Sequence, residues 1–141
     1  MSAVILQSLR TKLLSSQTVG SLYALCNGQI WHIEAPQSTA MPLLVYAMTG
    51  EQTSSYFVSS SITQHIIDVG FAFYFQTDQG VLAALTAEKA LFDLLHKSSI
   101  TPYNATYATI EILCISRGTA IMETDAIVIN TTYRIIASKI S

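Results

Sequence analysis

The sequence predicts an α+β fold: a mixed, mostly antiparallel sheet of four to five strands with helices packed on one face. Two amino-terminal stretches repeat apolar residues every three or four positions, as helices do. Between Ile67 and Phe75 apolar and other residues alternate strictly, as in a strand. An Ala- and Leu-rich helical stretch at residues 81–96 separates this strand from later ones. The 141 residues show no shift of composition, so we expect a single domain over residues 1–141.

Two short helices are predicted before residue 29. Ser2 is of a residue type that caps helix amino termini, and the turn-forming pair Asn27-Gly28 ends the second helix. The apolar positions are Ile5 or Leu6, Leu9 and Leu13 in the first helix, and Val19, Leu22, Leu25 and Cys26 in the second. Both helices are therefore expected to be amphipathic and to pack through one face.

Two strands and a long loop are predicted next. Residues 29–33 are rich in β-forming types, residues 35–39 are typical of a loop, and a second strand occupies residues 43–48. Pro42 cannot donate to a strand ladder, so it belongs at the start of that second strand. Residues 49–64 are dominated by Ser, Thr, Gly and Gln, which predicts a long Ser/Thr-rich loop, and loops of this length are usually functional or mobile.

The third strand and the third helix are the clearest elements. Turn residues 77–80 precede the helix, whose apolar stripe should pack on the aromatic face of the strand. The stripe comprises Ala84, Ala87, Leu91, Leu94 and Leu95, and the charged residues Glu88, Lys89, Asp93 and Lys97 are expected outside it. The helix thus covers one side of the sheet.

Two more strands are expected after the helix. Residues 108–114 and 127–137 alternate in the same way and are joined by a short region after Arg117-Gly118, which predicts an antiparallel hairpin. The preceding helix permits a parallel crossover. The opposite face of the sheet would carry Ala72, Tyr74, Leu113, Val128 and Ile136. That face is more apolar than a water-facing surface needs to be, so we expect neighbouring subunits to cover it.

The composition supports burial against other protein. Hydrophobic residues make up 50% of the chain and charged residues 11%, against about 25% in soluble domains. No run approaches the roughly 20 apolar residues of a membrane span, and the amino terminus does not fit a secretory signal, so we expect a cytosolic protein. The charge deficit predicts a homo-oligomer. A net charge of -2 with scattered Lys and Arg predicts no specific nucleic-acid binding.

No catalytic, cofactor-binding or metal-binding residues are predicted. His32, His65 and His96 lie in separate predicted elements without metal-ligand spacing, although His65 could approach Asp68. Asp68 and Glu111 are the carboxylates predicted within strands, where a pair could do acid–base work. We interpret them as polar residues of a solvated sheet face, or as a negative lining of the inner wall of a ring built from several copies of the chain.

Other chemical motifs are also missing from the sequence. There is no GxSxG elbow and no Gly-rich phosphate loop. Cys26 and Cys114 have no metal-ligand spacing and are interpreted as buried, reduced thiols. The sequence therefore predicts a protein that is not an enzyme and needs no cofactor.

Residues 30–46, IWHIEAPQSTAMPLLVY, resemble the most recognisable stretch of the tail terminator, or tail completion, proteins of long-tailed bacteriophages. The shared features are an aromatic-ended strand, the Ala35-Pro36 loop, Pro42 and a strand ending at Tyr46. The likeness continues through the helix at residues 6–14, the strand at 65–77, the helix at 81–96 and a closing strand with Tyr133-Arg134. This chain departs from the family in its fewer charges and its Ser/Thr-rich segment at 49–64.

The resemblance implies a structural virion protein of the tail or neck, assembled in the host cytoplasm. Such a subunit forms a ring, commonly of six copies, that caps the head-proximal end of the tail tube, stops tube polymerisation and joins the tail to the head connector. Its partners would be the tail tube protein and the head-tail connector protein, with genome DNA passing through the ring and no membrane involved. Two alternatives stay open: another neck or tail-tube subunit, and a small ligand-binding α+β domain with a pocket between the 81–96 helix and the sheet.

Overall fold

The computed structural model describes residues 2–36, 40–54, 62–98, 107–123 and 125–140. In chain order the described elements are α1 Ser2–Leu13, α2 Leu22–Leu25, β1 Ile30–His32, β2 Leu43–Ser54, β3 Ile62–Gln76, α3 Val81–Leu95, β4 Tyr107–Arg117, β5 Ile121–Met122 and β6 Ala126–Ile140. A 3₁₀ turn, Thr77–Gln79, links β3 to α3. The described strands form one mixed sheet.

The sheet confirms the predicted α+β class and has six strands in the described part of the chain, one or two more than expected. Its order is β1-β2-β3-β6-β4, and β5 pairs with β6 beyond the end of β4. Only the β1–β2 pair is parallel among these pairings. β5 is two residues long, too short for an alternation pattern to reveal it in the sequence.

The strand β6 is the centre of the topology. It runs antiparallel to β3 on one side and to β4 on the other, so β3 and β4 are parallel to each other with β6 between them. The chain moves from β3 to β4 through α3, as the predicted crossover requires. The predicted antiparallel pairing of the last two long strands is confirmed, with Ile112 opposite Ile135.

The core lies between the helices and one face of the sheet. Ile5, Leu9 and Leu13 of α1 are at most 1% exposed, which confirms the predicted apolar face of the first helix. The alternating side chains of β3 are buried beneath the helices: Ile67, Val69, Phe71, Phe73 and Phe75. The α3 side chains that meet this layer are Ala84, Ala87, Leu91 and Leu95. Burying these apolar side chains is the main force that holds the helices on the sheet.

The second helix is shorter than predicted. It begins only at Leu22, because Ser21 Oγ accepts a hydrogen bond from the Ala24 backbone N–H and Gly20 has a left-handed φ of 86° just before it. Val19, predicted on the apolar face, is instead fully exposed. The helical spacing of apolar residues therefore predicted too early a start for this helix. The position of the capping residue determines where the helix begins.

The prediction of a loop over residues 49–64 is wrong at both ends of this segment. β2 continues to Ser54 and β3 begins at Ile62, and Gln52 pairs opposite Ile66 within this extension. Pairing with neighbouring strands overrides the low β-propensity of Gly50 and Glu51, while Thr49 and Thr53 are of a residue type that is common in strands. A bulge interrupts β2 between Met48 and Gly50, and Thr49 Oγ1 donates to the Asp68 carbonyl at 3.2 Å. The part of the predicted loop at residues 55–61 lies outside the described residues.

Part of the outer edge of β4 is covered by the chain that follows α3. The Lys97 N–H donates to the Ile112 carbonyl at 2.9 Å, and the Ile112 N–H donates to the Ser98 carbonyl at 3.0 Å. The Cys114 N–H donates to Nδ1 of His96 at 3.0 Å. These bonds satisfy backbone groups that an edge strand would otherwise present to another chain.

Candidate interaction surfaces

The sheet face opposite the helices, which we call the open face, is the first candidate surface. Cross-strand register places Leu43, Tyr74 and Val128 in one row and Val45, Ala72 and Asn130 in the next. Leu113 and Ile136 also lie on this face, so all five apolar residues expected there are found on it: Ala72, Tyr74, Leu113, Val128 and Ile136. Leu113 is 40% exposed. Leu43 and Val128 are buried on this face, Ala72, Tyr74 and Ile136 are half-buried, and polar side chains lie among them.

An ion pair occupies the middle of the open face. Arg134 Nε donates to Asp68 Oδ1 at 2.9 Å, and Nη2 donates to Oδ2 at 3.2 Å. These hydrogen bonds raise the pKa of Arg134 above its usual range. Because the two charges cancel, the face has little net charge at its centre and could meet another protein surface without burying a lone charge.

The expected approach of His65 to Asp68 is wrong. His65 is buried on the helix-covered side, whereas Asp68 lies on the open face. Successive side chains of a strand alternate between faces, so residues three apart point to opposite sides. Glu111 lies on the open face opposite Ile136, and β6 separates its strand from that of Asp68. The two carboxylates therefore do not form an acid–base pair.

The β4–β5 edge of the sheet carries a second exposed apolar surface. Ile115 is 49% exposed, Ile121 53% and Met122 60%. The acidic residues Glu123 and Asp125 lie within three residues of Met122 and are exposed as well. We call Ile121, Met122, Glu123 and Asp125 the β5 tip. It presents two apolar and two negatively charged side chains with no Lys or Arg among its members.

The opposite edge of the sheet holds a groove between α1 and β1, of about 610 Å³. Its lining residues, which define the α1–β1 groove, are Ala3, Leu6, Gln7, Arg10, Trp31, His32 and Tyr46. The His32 ring stacks on Tyr46 with centroids 5.1 Å apart, and Trp31 Nε1 donates to Gln29 Oε1 at 2.9 Å. These contacts fix an aromatic wall beside the exposed guanidinium of Arg10.

A second ion pair joins α3 to β4 at the border of the core. Arg117 donates two hydrogen bonds to the Glu88 carboxylate, at 2.7 and 2.6 Å, and its guanidinium lies 4.1 Å from the centroid of the Phe92 ring. The Glu88 side chain is only 5% exposed, so its predicted position outside the apolar stripe is wrong. Arg117 reaches over the helix and neutralises it, which makes burial of this carboxylate tolerable.

The hydroxyl of Tyr133 lies near this ion pair. It is fully buried close to Cys114, Thr131 and Glu88, yet it makes no hydrogen bond of normal geometry within the described residues. Desolvation by burial raises the pKa of Tyr133 above its usual range, and the nearby Cys114 and Glu88 add to this. The hydroxyl thus stays neutral and packs as part of the core.

The cysteines and histidines are dispersed. Burial raises the pKa of the Cys26 thiol to about 12, so it is protonated and unreactive at neutral pH. Cys114 is half-buried, not fully buried as expected. The described residues contain no cluster of three or more His, Cys, Asp or Glu that could hold a metal ion. Among them, no helix has the length and apolar character needed to span a membrane.

The cleft beside α3 offers little convergent polar chemistry. It measures about 500 Å³ and lies between α3 and the 15–21 segment, away from the sheet. Ser15 Oγ donates to the Lys12 carbonyl, Ser16 bonds to Thr18, and Asp93 accepts from Lys89. These polar side chains are already engaged in hydrogen bonds within the chain, whereas ligand pockets present polar groups that converge on the ligand.

Comparison with solved structures shows where this fold occurs. A chain from the virion of a native gene transfer agent particle is similar over 98% of this chain and 94% of its own length, with a TM-score of 0.66 and 16% sequence identity. A second solved chain, whose name states no function, is similar over 96% of this chain and 95% of its own length, with a TM-score of 0.59 and 11% identity. No protein-family model and no curated protein matches the sequence.

Proposed function

We propose that this protein is a non-catalytic structural subunit of a phage-like virion. The observation that carries the proposal is the end-to-end similarity of fold to a chain of the gene transfer agent virion, in which both chains are covered almost completely. Because the two folds agree over the whole length of both chains, a similar structural role is favoured over the reuse of a single shared motif in an unrelated protein. A fold by itself does not specify a role, which depends on the surfaces that the subunit presents to its partners.

We further propose that the subunit is a tail terminator: a ring that caps the head-proximal end of the tail tube and joins it to the head connector. The sequence resemblance at residues 30–46 supports this role. A terminator needs lateral surfaces for ring closure and two further surfaces for different partners. The two sheet edges and the open face provide separate accessible surfaces of this kind.

The pairing of charges fits a protein-covered subunit. Three ion pairs occur among the described residues, Lys89–Asp93, Arg117–Glu88 and Arg134–Asp68. A charge that is already neutralised within its own chain costs less to remove from water when a partner covers it. The low charged fraction of the sequence is the same adaptation at the level of composition.

Electron microscopy and light scattering would test the terminator role. We expect the purified protein to form ring-sized oligomers, alone or on the ends of tubes assembled from the tube protein of the same virion. Tubes grown in its presence should stop growing at the capped end. Long tubes made of this protein itself would indicate a tube subunit instead. A strictly monomeric protein that leaves tube ends uncapped would contradict the proposal.

A charge placed on the open face would test whether this surface meets a virion partner. Leu113→Lys adds a cation to an exposed position of the face, and Thr86→Lys adds one to the exposed surface of α3 as a matched control. Both variants should unfold at nearly the wild-type temperature. We expect only Leu113→Lys to weaken binding to tube ends or to the connector protein by tenfold or more. Equal binding by both variants would exclude the Leu113 region as the contact.

A further inference from the structure

We propose that the β5 tip of one copy binds in the α1–β1 groove of the next copy, and that this contact closes the ring. The inference rests on the proposed function, since it assigns the lateral interface of that ring. It names a second copy of this chain as the occupant of the groove.

The positions of the two surfaces favour a head-to-tail contact. β1 forms one edge of the sheet, whereas β5 pairs with β6 beside the end of β4, at the other edge. When one surface of a subunit binds a different surface of the next subunit, every dimer still has one free tip and one free groove at its two ends. Such an arrangement adds further copies in the same direction and forms a closed ring when the rotation between copies permits.

The chemistry of the two surfaces is complementary. The β5 tip carries the carboxylates of Glu123 and Asp125 and no basic residue, while the groove contains Arg10 and no acidic residue among its seven lining residues. Arg and carboxylate groups form strong charge-assisted hydrogen bonds. Arg10 has no carboxylate partner among the described residues, and its Nη1 lies 3.5 Å from the Ile30 carbonyl oxygen. It is thus available for a partner's carboxylate.

The apolar parts also match. Ile121 and Met122 are more than half exposed on a sheet edge, where an uncovered apolar strand is prone to pair or aggregate. The groove offers Leu6 and the rings of Trp31 and His32, and a methionine sulfur contacts aromatic rings favourably. A groove of about 610 Å³ is within the size range of sites that hold drug-sized molecules, which is ample for these two side chains.

Disulfide trapping tests the contact directly. Gln7→Cys in the groove and Met122→Cys at the tip, combined in one chain, should give a ladder of linked oligomers under mild oxidation. All variants in this experiment also carry Cys26→Ala and Cys114→Ser, which remove the two native thiols. Each single variant should then give no more than linked dimers, because one cysteine per chain cannot extend a ladder. The matched control combines Gln7→Cys with Thr86→Cys, since Thr86 is also exposed but lies on α3. A ladder as strong in the control as in the test pair, or no ladder in the test pair, would overturn the inference.

Mixing variants tests the head-to-tail geometry. Arg10→Glu disables the groove, and Met122→Asp disables the tip; both positions are exposed, so both proteins should keep the wild-type circular dichroism spectrum. We expect each variant alone to be monomeric by light scattering and the equimolar mixture to form dimers only, through one intact tip and one intact groove. If both variants form wild-type rings, the inference is wrong while the proposed terminator role stands. If the trapped ladder forms but the protein does not cap tubes, the interface stands and that role fails.

Discussion

Glu88 shows how a single charged residue can be built into an apolar helix face. Its carboxylate is nearly inaccessible, and it accepts two hydrogen bonds from Arg117, whose side chain remains 43% exposed and stacks on Phe92. The hydrogen bonds to Glu88 raise the pKa of Arg117, so the cation persists at every accessible pH. The Arg117–Glu88 ion pair therefore stabilises the packing of α3 against the end of β4.

We expect Glu88→Ala to lower the free energy of unfolding by about 2 kcal/mol, because two charge-assisted hydrogen bonds are lost and a small void is left. Glu88→Gln should cost less, since the amide keeps the shape and one acceptor. Urea unfolding followed by circular dichroism measures both. The exposed Glu111→Gln is the control and should change stability by no more than about 0.5 kcal/mol. A Glu88→Ala variant as stable as this control would show that the pair contributes nothing.

Cys26 makes stability depend on alkaline pH. The native pKa of the thiol is about 12, whereas the thiol of an unfolded chain titrates near 8.5. Between these values the unfolded state releases a proton that the native state retains, so stability is complete below about pH 8.5 and falls as pH rises. For this one group the loss between pH 8.5 and pH 10 should be about 2 kcal/mol, since one pKa unit corresponds to about 1.4 kcal/mol.

The variant Cys26→Ala should remove that dependence. It will be less stable than wild type at pH 7, by about 1 kcal/mol, because a buried sulfur is deleted. Its free energy of unfolding should then change less between pH 8.5 and pH 10 than that of wild type, measured in urea under reducing conditions. Parallel pH profiles for the two proteins would mean that the buried thiol is not the source of the alkaline loss.

At the scale of the element, the connection from β4 to β5 depends on close backbone approach. Gly118 follows Arg117, and a Cβ atom at this position would overlap the carbonyl oxygen of Asn130 in β6. Because the obstacle is backbone, it cannot rotate away as a side chain could. The missing side chain thus lets the chain pass next to β6 and form the short β5 pairing.

We predict that Gly118→Ala lowers the free energy of unfolding by about 3 kcal/mol, at the upper end of what overpacking costs. Gly50→Ala is the control, since a Cβ there would meet only Asp68 atoms at 3.9 to 4.0 Å, an ordinary contact. Thermal unfolding of both variants separates the two cases. If Gly118→Ala were as mild as Gly50→Ala, the strands would have room to separate at this point.

The whole molecule depends on its last strand. β6 supplies the only link between β3 and β4 in the described sheet, and its partners on β3 lie more than 45 residues earlier in the chain. Contacts of such long sequence separation must form before the sheet is continuous, which slows folding. The aromatic core contact between Phe71 and Tyr133, with ring centroids 5.4 Å apart, also forms only when β6 docks.

A chain ending at Asp125 should therefore show no cooperative thermal unfolding, because β3 and β4 would each lose their shared neighbour. A chain ending at Ser138, which keeps most of the β3–β6 and β4–β6 ladders, should still unfold cooperatively. Circular dichroism during heating distinguishes the two outcomes. Cooperative unfolding of the shorter chain would mean that β1, β2 and β3 form a stable unit with the helices alone.

Local sequence patterns predicted much of this architecture. The alternation from Ile67 to Phe75 predicted both β3 and its buried face, and the stripe from Ala84 to Leu95 predicted how α3 packs. Such patterns succeed because the sheet and helix periods differ and each buries one face. They also placed the apolar residues of the open face on one side of the sheet.

By itself the sequence determined the fold class and the buried apolar faces of α1, β3 and α3, because these follow from residue types at fixed spacing. The tertiary structure decided what depends on contacts between distant residues. Arg117 neutralises the carboxylate of Glu88, which allows this residue to be buried. Pairing between strands extends β2 and β3 into a stretch that is rich in Ser and Thr. The same packing placed an acidic apolar tip and a basic aromatic groove at opposite sheet edges, since strand order follows the whole chain and not any local period.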